Sequence, residues 1–143
     1  MSLLDSLSLI EIKLYYKFAK LGNGRKLVIL EDKAAEKMME DEEHSKEIEI
    51  LATKWSTLTW KEQNEVMHLA AQPANPAGDR QFNFVNYRDA IIKRCLKEWN
   101  ITANEKPVPV TSQAIDQLPG PVVTNLYQKF EKMLDYTEEE SGN

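Results

Sequence analysis

The sequence is poor in the residue types that staple, span or catalyse. It contains a single cysteine, Cys95, so no internal disulfide can form, which suits a reducing compartment. It contains two histidines, His44 and His68, and neither has a second His or Cys at zinc-ligand spacing. Its apolar runs are short: a stretch such as Leu27 to Leu30 falls far below the ~20 residues of a membrane-spanning helix. The opening MSLLDSLSLIEIK has no basic leader and no small-residue cleavage site, so we do not read it as a signal peptide. Basic residues cluster only as short pairs, Arg25-Lys26 and Lys93-Arg94, and the net charge is −5. A nucleic-acid binder needs cations to displace phosphate counterions, so neither nucleic acid nor a membrane is expected as a partner.

Catalytic signatures are missing as well. There is no phosphate-binding loop, no dinucleotide fingerprint and no GxSxG. The turn Gly22-Asn23-Gly24 is too short to cradle a phosphate and has no Lys-Ser/Thr after it. His68 and Cys95 form the one conceivable base–nucleophile pair involving the cysteine, and nothing local supplies an orienting group or an oxyanion hole. Adjacent acids such as Asp41 and Glu42 diverge around a helix. Glu36 and Glu40 share a face, but no rigid loop adds the oxygens that calcium requires. We therefore expect no catalytic residue, no cofactor and no metal site, and a protein that is not an enzyme.

What is present is the composition of a chain with a core: 143 residues, 42% hydrophobic and 29% charged. The patterning predicts a mainly α protein, a small irregular helical bundle with room for a short N-terminal β segment. Residues 1–54 are expected to hold an N-terminal helix, a turn and an acidic helical segment. Residues 55–136 are expected to form a C-terminal helical domain, and 137–143 an acidic tail. Leu7, Ile10, Leu14, Phe18 and Leu21 recur at helical spacing over residues 5–21, and Gly22-Asn23-Gly24 ends that run. Lys26 to Leu30 reads as a strand or as the first turn of the next helix. Residues 31–54 are rich in helix formers. Between Glu31 and Glu49 lie nine acids and three lysines, a net of −6 that exceeds the charge of the whole chain.

Further along, Thr59 and Glu62 fit a capping box that starts a helix running to about Ala71. A Pro/Gly loop over residues 72–79 stops it. Tyr87, Ile91, Cys95 and Trp99 recur every four residues, which predicts a core helix over 83–99 with Cys95 as a buried small hydrophobe. Residues 100–110 read as a linker, extended at Pro107-Val108-Pro109. A short helix over 112–118 and a Pro119-Gly120-Pro121 break precede a final helix with Val123, Leu126 or Tyr127, Phe130 and Leu134 on one side. Glu138-Glu139-Glu140 and the last residues are expected to be solvated.

Three blocks carry a likeness to a known family. They are Leu58-Thr59-Trp60-Lys61-Glu62-Gln63-Asn64-Glu65; Tyr87-Arg88-Asp89 leading into Cys95-Leu96-Lys97-Glu98-Trp99-Asn100; and Pro107-Val108-Pro109-Val110-Thr111 followed by Ala114-Ile115-Asp116-Gln117-Leu118-Pro119. Together with the terminal helix and its acidic end, this order resembles the tail assembly chaperones and related small tail proteins of tailed bacteriophages. The likeness covers about residues 55–140. It implies a helical protein in the host cytoplasm that binds the tape-measure or tail-tube protein before assembly, and it transfers no functional residues. The alternative is a structural virion subunit of the tail, baseplate or neck.

Such a protein works by contact with other tail proteins, and with copies of itself if it forms a homo-oligomer. Candidate partner-binding residues are Met38, Met39, Trp55, Trp60, Tyr127 and Phe130. Tryptophan and tyrosine tend to dominate binding energy, and methionine adapts to varied surfaces. The competing reading for each is core packing, strongest for the aromatics on periodic faces.

Overall fold

Period-two alternation governs the N-terminal part of the chain. The computed structural model describes residues 9–73 and 80–141, with side chains except at 72, 73, 80 and 136–141. Ile10–Leu21 forms strand β1, and the two residues Gly22 and Asn23 turn it into β2, Gly24–Leu30. Gly22 sits at φ 59°, the left-handed backbone that a two-residue hairpin loop demands. Ile10, Ile12, Leu14 and Tyr16 fall on one face of β1, and Ile12 and Leu14 are fully buried there.

The sheet overturns the expectation of a mainly α bundle. After β2 come helices α1 (Asp32–Met39) and α2 (Glu42–Ser45), then β3 (Glu49–Trp55), where a single helical segment was expected. In β3 the alternating residues Leu51, Thr53 and Trp55 are buried, a pattern that only a strand can present to one side. β3 pairs antiparallel with β1 along Ile10–Tyr16, whereas β2 pairs with it along Tyr15–Leu21. Helix α4 (Phe84–Cys95) passes without a loop into β6 (Leu96–Trp99), which completes a four-stranded antiparallel sheet of order β2-β1-β3-β6. The fold is therefore α/β.

The remaining elements follow local signals closely. Thr59 caps α3 (Trp60–Ala70): its hydroxyl accepts from the Glu62 N–H, while the Glu62 carboxylate accepts from the Thr59 N–H, so the capping box is present. The short strands β4 (Ala71–Pro73) and β5 (Arg80–Phe82) pair with each other. The region read as a linker contains a tight hairpin of β7 (Thr102–Ala103) and β8 (Lys106–Pro107), with Asn104 and Glu105 at positive φ. Thr111 caps α5 (Ser112–Asp116), and α6 runs from Gly120 to Ser141, so the acidic residues 138–140 continue the helix.

The core lies between one face of the sheet and the helices. Ile12, Leu14, Leu51 and Trp55 from the sheet meet Val122, Leu126 and Phe130 of α6, and Val66, Ile91 and Cys95 of α3 and α4 join the same cluster. The buried Thr53 side chain bridges two strands within this layer. The Thr53 hydroxyl donates to the Ile12 carbonyl at 2.7 Å and accepts from the Trp55 indole N–H at 2.8 Å. Lys129 of α6 donates to the Lys13 carbonyl at 2.7 Å, on a stretch of β1 that β2 does not reach, and also pairs with Asp32 at the start of α1.

Candidate protein-binding cleft

Helices α3 and α4 pack on each other, and residues of α6 line the same cavity that they border. The three leave a cleft of about 430 Å³ between them. Its floor is apolar: Val66, Ile91, Cys95 and Phe130. Met67 and Leu134 also line the cleft and remain 48% and 38% exposed, so its mouth is apolar as well. Glu131 and Asp135, one turn apart on α6, and Gln63 on α3 supply the polar rim.

Two buried groups in the cleft set its chemistry. The Tyr127 hydroxyl is buried and makes no hydrogen bond of good geometry among the described residues. Burial pushes its pKa well up, and the nearby Glu131 carboxylate pushes in the same direction, so the phenol stays neutral. The Cys95 thiol is pushed up to about 12, chiefly by burial and secondarily by Glu62. It is a packing group and not a nucleophile at neutral pH. The arrangement can seat an apolar side chain. It brings together no base, nucleophile and oxyanion donors.

The residues singled out from sequence separate into two sets. Tyr127 and Phe130 line the cleft, and Trp55 lies directly beneath, stacked on Phe130. All three are at least 98% buried, so their surface is taken up by the core. Trp60 is 75% exposed at the start of α3, Met39 is exposed on α1, and Met38 is half-buried there; none of these three lines the cleft. Met67 and Leu134 fall on the apolar sides of their helices in the sequence pattern, which marks them as core residues and not as binding candidates.

His44 Nδ1 lies 2.8 Å from Asp41 Oδ2 at the start of α2, and His68 is exposed on α3. Among the described residues no group of three or more His, Cys, Asp or Glu could hold a metal ion, and no helix is long and apolar enough to cross a membrane. A second group of exposed apolar residues, Leu69, Phe82, Phe84 and Val85, lies on α3, β5 and α4; the loop expected over residues 74–79 is outside the described residues. Comparison of the chain with protein-family models, with curated proteins and with solved structures found no match.

Proposed function

We propose that the chain is a tail assembly chaperone of a tailed bacteriophage, or a closely related assembly factor, that binds the tape-measure or tail-tube protein in the host cytoplasm. The observation that carries this reading is the apolar cleft, which leaves Met67 and Leu134 exposed above a buried apolar floor of Val66, Ile91, Cys95 and Phe130. Its lining is apolar enough to take the side chains of an amphipathic helix, as in helix-in-groove recognition. Methionine at the mouth adapts to different side chains along a long partner. The resemblance over residues 55–140 supports the same assignment, because those residues supply all three helices of the cleft. In this mechanism the chaperone covers an apolar helix of the partner, and polymerisation of the tail displaces it.

Co-expression with the neighbouring tail proteins tests the proposal. The wild-type chain should co-purify with one of them, and Met67→Glu together with Leu134→Glu should abolish capture while leaving the circular dichroism spectrum unchanged. Failure of every tail protein to co-purify would count decisively against it. Mass spectrometry of purified virions separates the chaperone from a structural tail, baseplate or neck subunit, since a chaperone is absent from the finished particle.

A further inference from the structure

The β1–β2 hairpin outruns the sheet. β3 pairs with β1 only as far as Tyr16, so Lys17–Leu21 of β1 and their β2 partners Gly24–Val28 form a two-stranded ribbon with no strand on either outer side among the described residues. At ~3.4 Å per residue the tip stands roughly 17 Å beyond Tyr16. The ribbon carries Lys17, Lys20, Arg25 and Lys26 and no acid. None of these four cations forms an ion pair among the described residues. Arg25 instead lies over the ring of Phe18, 5.0 Å from its centroid, and Phe18 and Leu21 are 47% and 66% exposed.

The opposite character is concentrated at the ribbon's base. The crossover through α1 and α2 leaves β2 at the level of Tyr15 and enters β3 at the level of Tyr16. Its residues 31–48 hold eight acids and three lysines, a net of −5, and Glu36, Glu40, Glu42, Glu43 and Glu47 are all exposed and without ion pairs among the described residues. Met39 is exposed beside them. A cationic, apolar-tipped ribbon and an anionic, methionine-bearing crossover are complementary surfaces. Within one chain no ion pair joins the ribbon's cations to the crossover's acids among the described residues, so both surfaces are available to a second copy.

We infer that the ribbon of one copy docks on the acidic crossover of a second copy, in a head-to-tail contact. Symmetric ribbon-to-ribbon pairing is disfavoured, because it brings two cation-rich strands together. A heterologous contact repeats from copy to copy and closes into a ring or continues as a filament. Its attraction rests on exposed charges and is therefore sensitive to salt.

Light scattering on gel-filtered full-length protein, at low salt and at about 1 M salt where the screening length is about 3 Å, tests this. Wild type should associate at low salt and dissociate at high salt. Lys20→Glu, Arg25→Glu and Lys26→Glu together take the ribbon from +4 to −2, and Glu36→Lys, Glu40→Lys, Glu43→Lys and Glu47→Lys together take the crossover from −5 to +3; each set should weaken self-association roughly tenfold or more. Mixing the two variants restores complementarity at every contact and should restore assembly. All seven positions are exposed, and far-UV circular dichroism checks that the variants fold. A wild-type chain that stays monomeric at low salt overturns the inference, as does a mixture of variants that does not assemble. A monomer whose ribbon reversal instead abolishes binding to a duplex DNA probe also overturns it and assigns the ribbon to nucleic acid.

Discussion

The indole of Trp55 lies stacked on the ring of Phe130, with centroids 4.7 Å apart and planes inclined by 24°. This contact joins β3 to α6, two elements 75 residues apart in sequence, and both rings are fully buried. Truncating Phe130 removes the stacking partner and leaves a void between sheet and helix. Phe130→Ala should cost about 3–5 kcal/mol in urea unfolding, because the lost transfer energy is compounded by the cavity. In a chain of this size that lowers Tm by on the order of 10 °C. An unchanged urea midpoint would show that α6 does not rest on β3.

Thr53 is the polar counterpart of that joint. Its hydroxyl gives its proton to the Ile12 carbonyl and receives one from the Trp55 indole, so one side chain satisfies two buried groups on two strands. Thr53→Val keeps the shape and deletes the hydroxyl, which strands both groups. The expected loss is about 1–3 kcal/mol, and Thr53→Ser, which keeps the hydroxyl, should lose clearly less. Equal losses in the two variants would mean that packing, and not the hydrogen bonds, is what Thr53 contributes.

The capping box gives a pH dependence with a definite sign. The Glu62 carboxylate accepts from the Thr59 N–H, which holds its pKa below the usual glutamate value, against a smaller opposing effect of burial. A depressed folded-state pKa stabilises the native state above the unfolded-state value, about 4.3, and that contribution disappears as pH falls through the folded value. Unfolding free energy measured from neutral pH downward should therefore drop in acid. Glu62→Gln should flatten part of that drop, and Thr59→Ala should cost about 1 kcal/mol at neutral pH.

These same elements show what the sequence makes legible. A capping box is written in four consecutive residues, Thr59 to Glu62, and needs no partner, so it can be read locally. The breaks at Pro119-Gly120-Pro121 and after Ala71 are equally local. β1 is different. Ile10, Leu14, Phe18 and Leu21 satisfy helical spacing, while Ile10, Ile12, Leu14 and Tyr16 satisfy alternation, and only pairing with residues 49–55 decides between them. β6 is hidden in the same way. Tyr87, Ile91, Cys95 and Trp99 continue a four-residue rhythm, yet the chain leaves the helix after Cys95 because Leu96 is drawn into register opposite Trp55. The cleft was out of reach for the same reason: its lining comes from three helices that only the tertiary fold brings together. So did the ribbon's charge, since Lys17, Lys20, Arg25 and Lys26 are spread over ten residues and become one surface only when the hairpin closes.

The mouth of the cleft should be separable from the core beneath it. Met67 and Leu134 are partly exposed, so Met67→Ser or Leu134→Ser removes little packing, and stability should change by less than about 1 kcal/mol. Phe130→Ala, a few ångströms deeper, carries the full core penalty. A fluorescent apolar probe that reports on exposed hydrophobic surface should bind wild type more strongly than either serine variant at matched stability. If the serine variants unfold as readily as Phe130→Ala, the mouth belongs to the core and offers no docking surface.

Cys95 provides a direct test of how closed the cleft floor is. The thiol is 1% exposed and pushed up to about 12, so at pH 8 it is held in the protonated form, which does not react with a disulfide reagent. Labelling of the native protein should therefore proceed through opening of the structure, slowly in buffer and faster as denaturant is added. The Phe130→Ala variant should label faster than wild type at every denaturant concentration, because the ring that lines the same floor is gone and the opening free energy is smaller. Stoichiometric labelling of wild type within minutes in buffer would show that solvent reaches the sulfur directly, and the floor of the cleft would then be an open channel lined by Val66, Ile91 and Phe130.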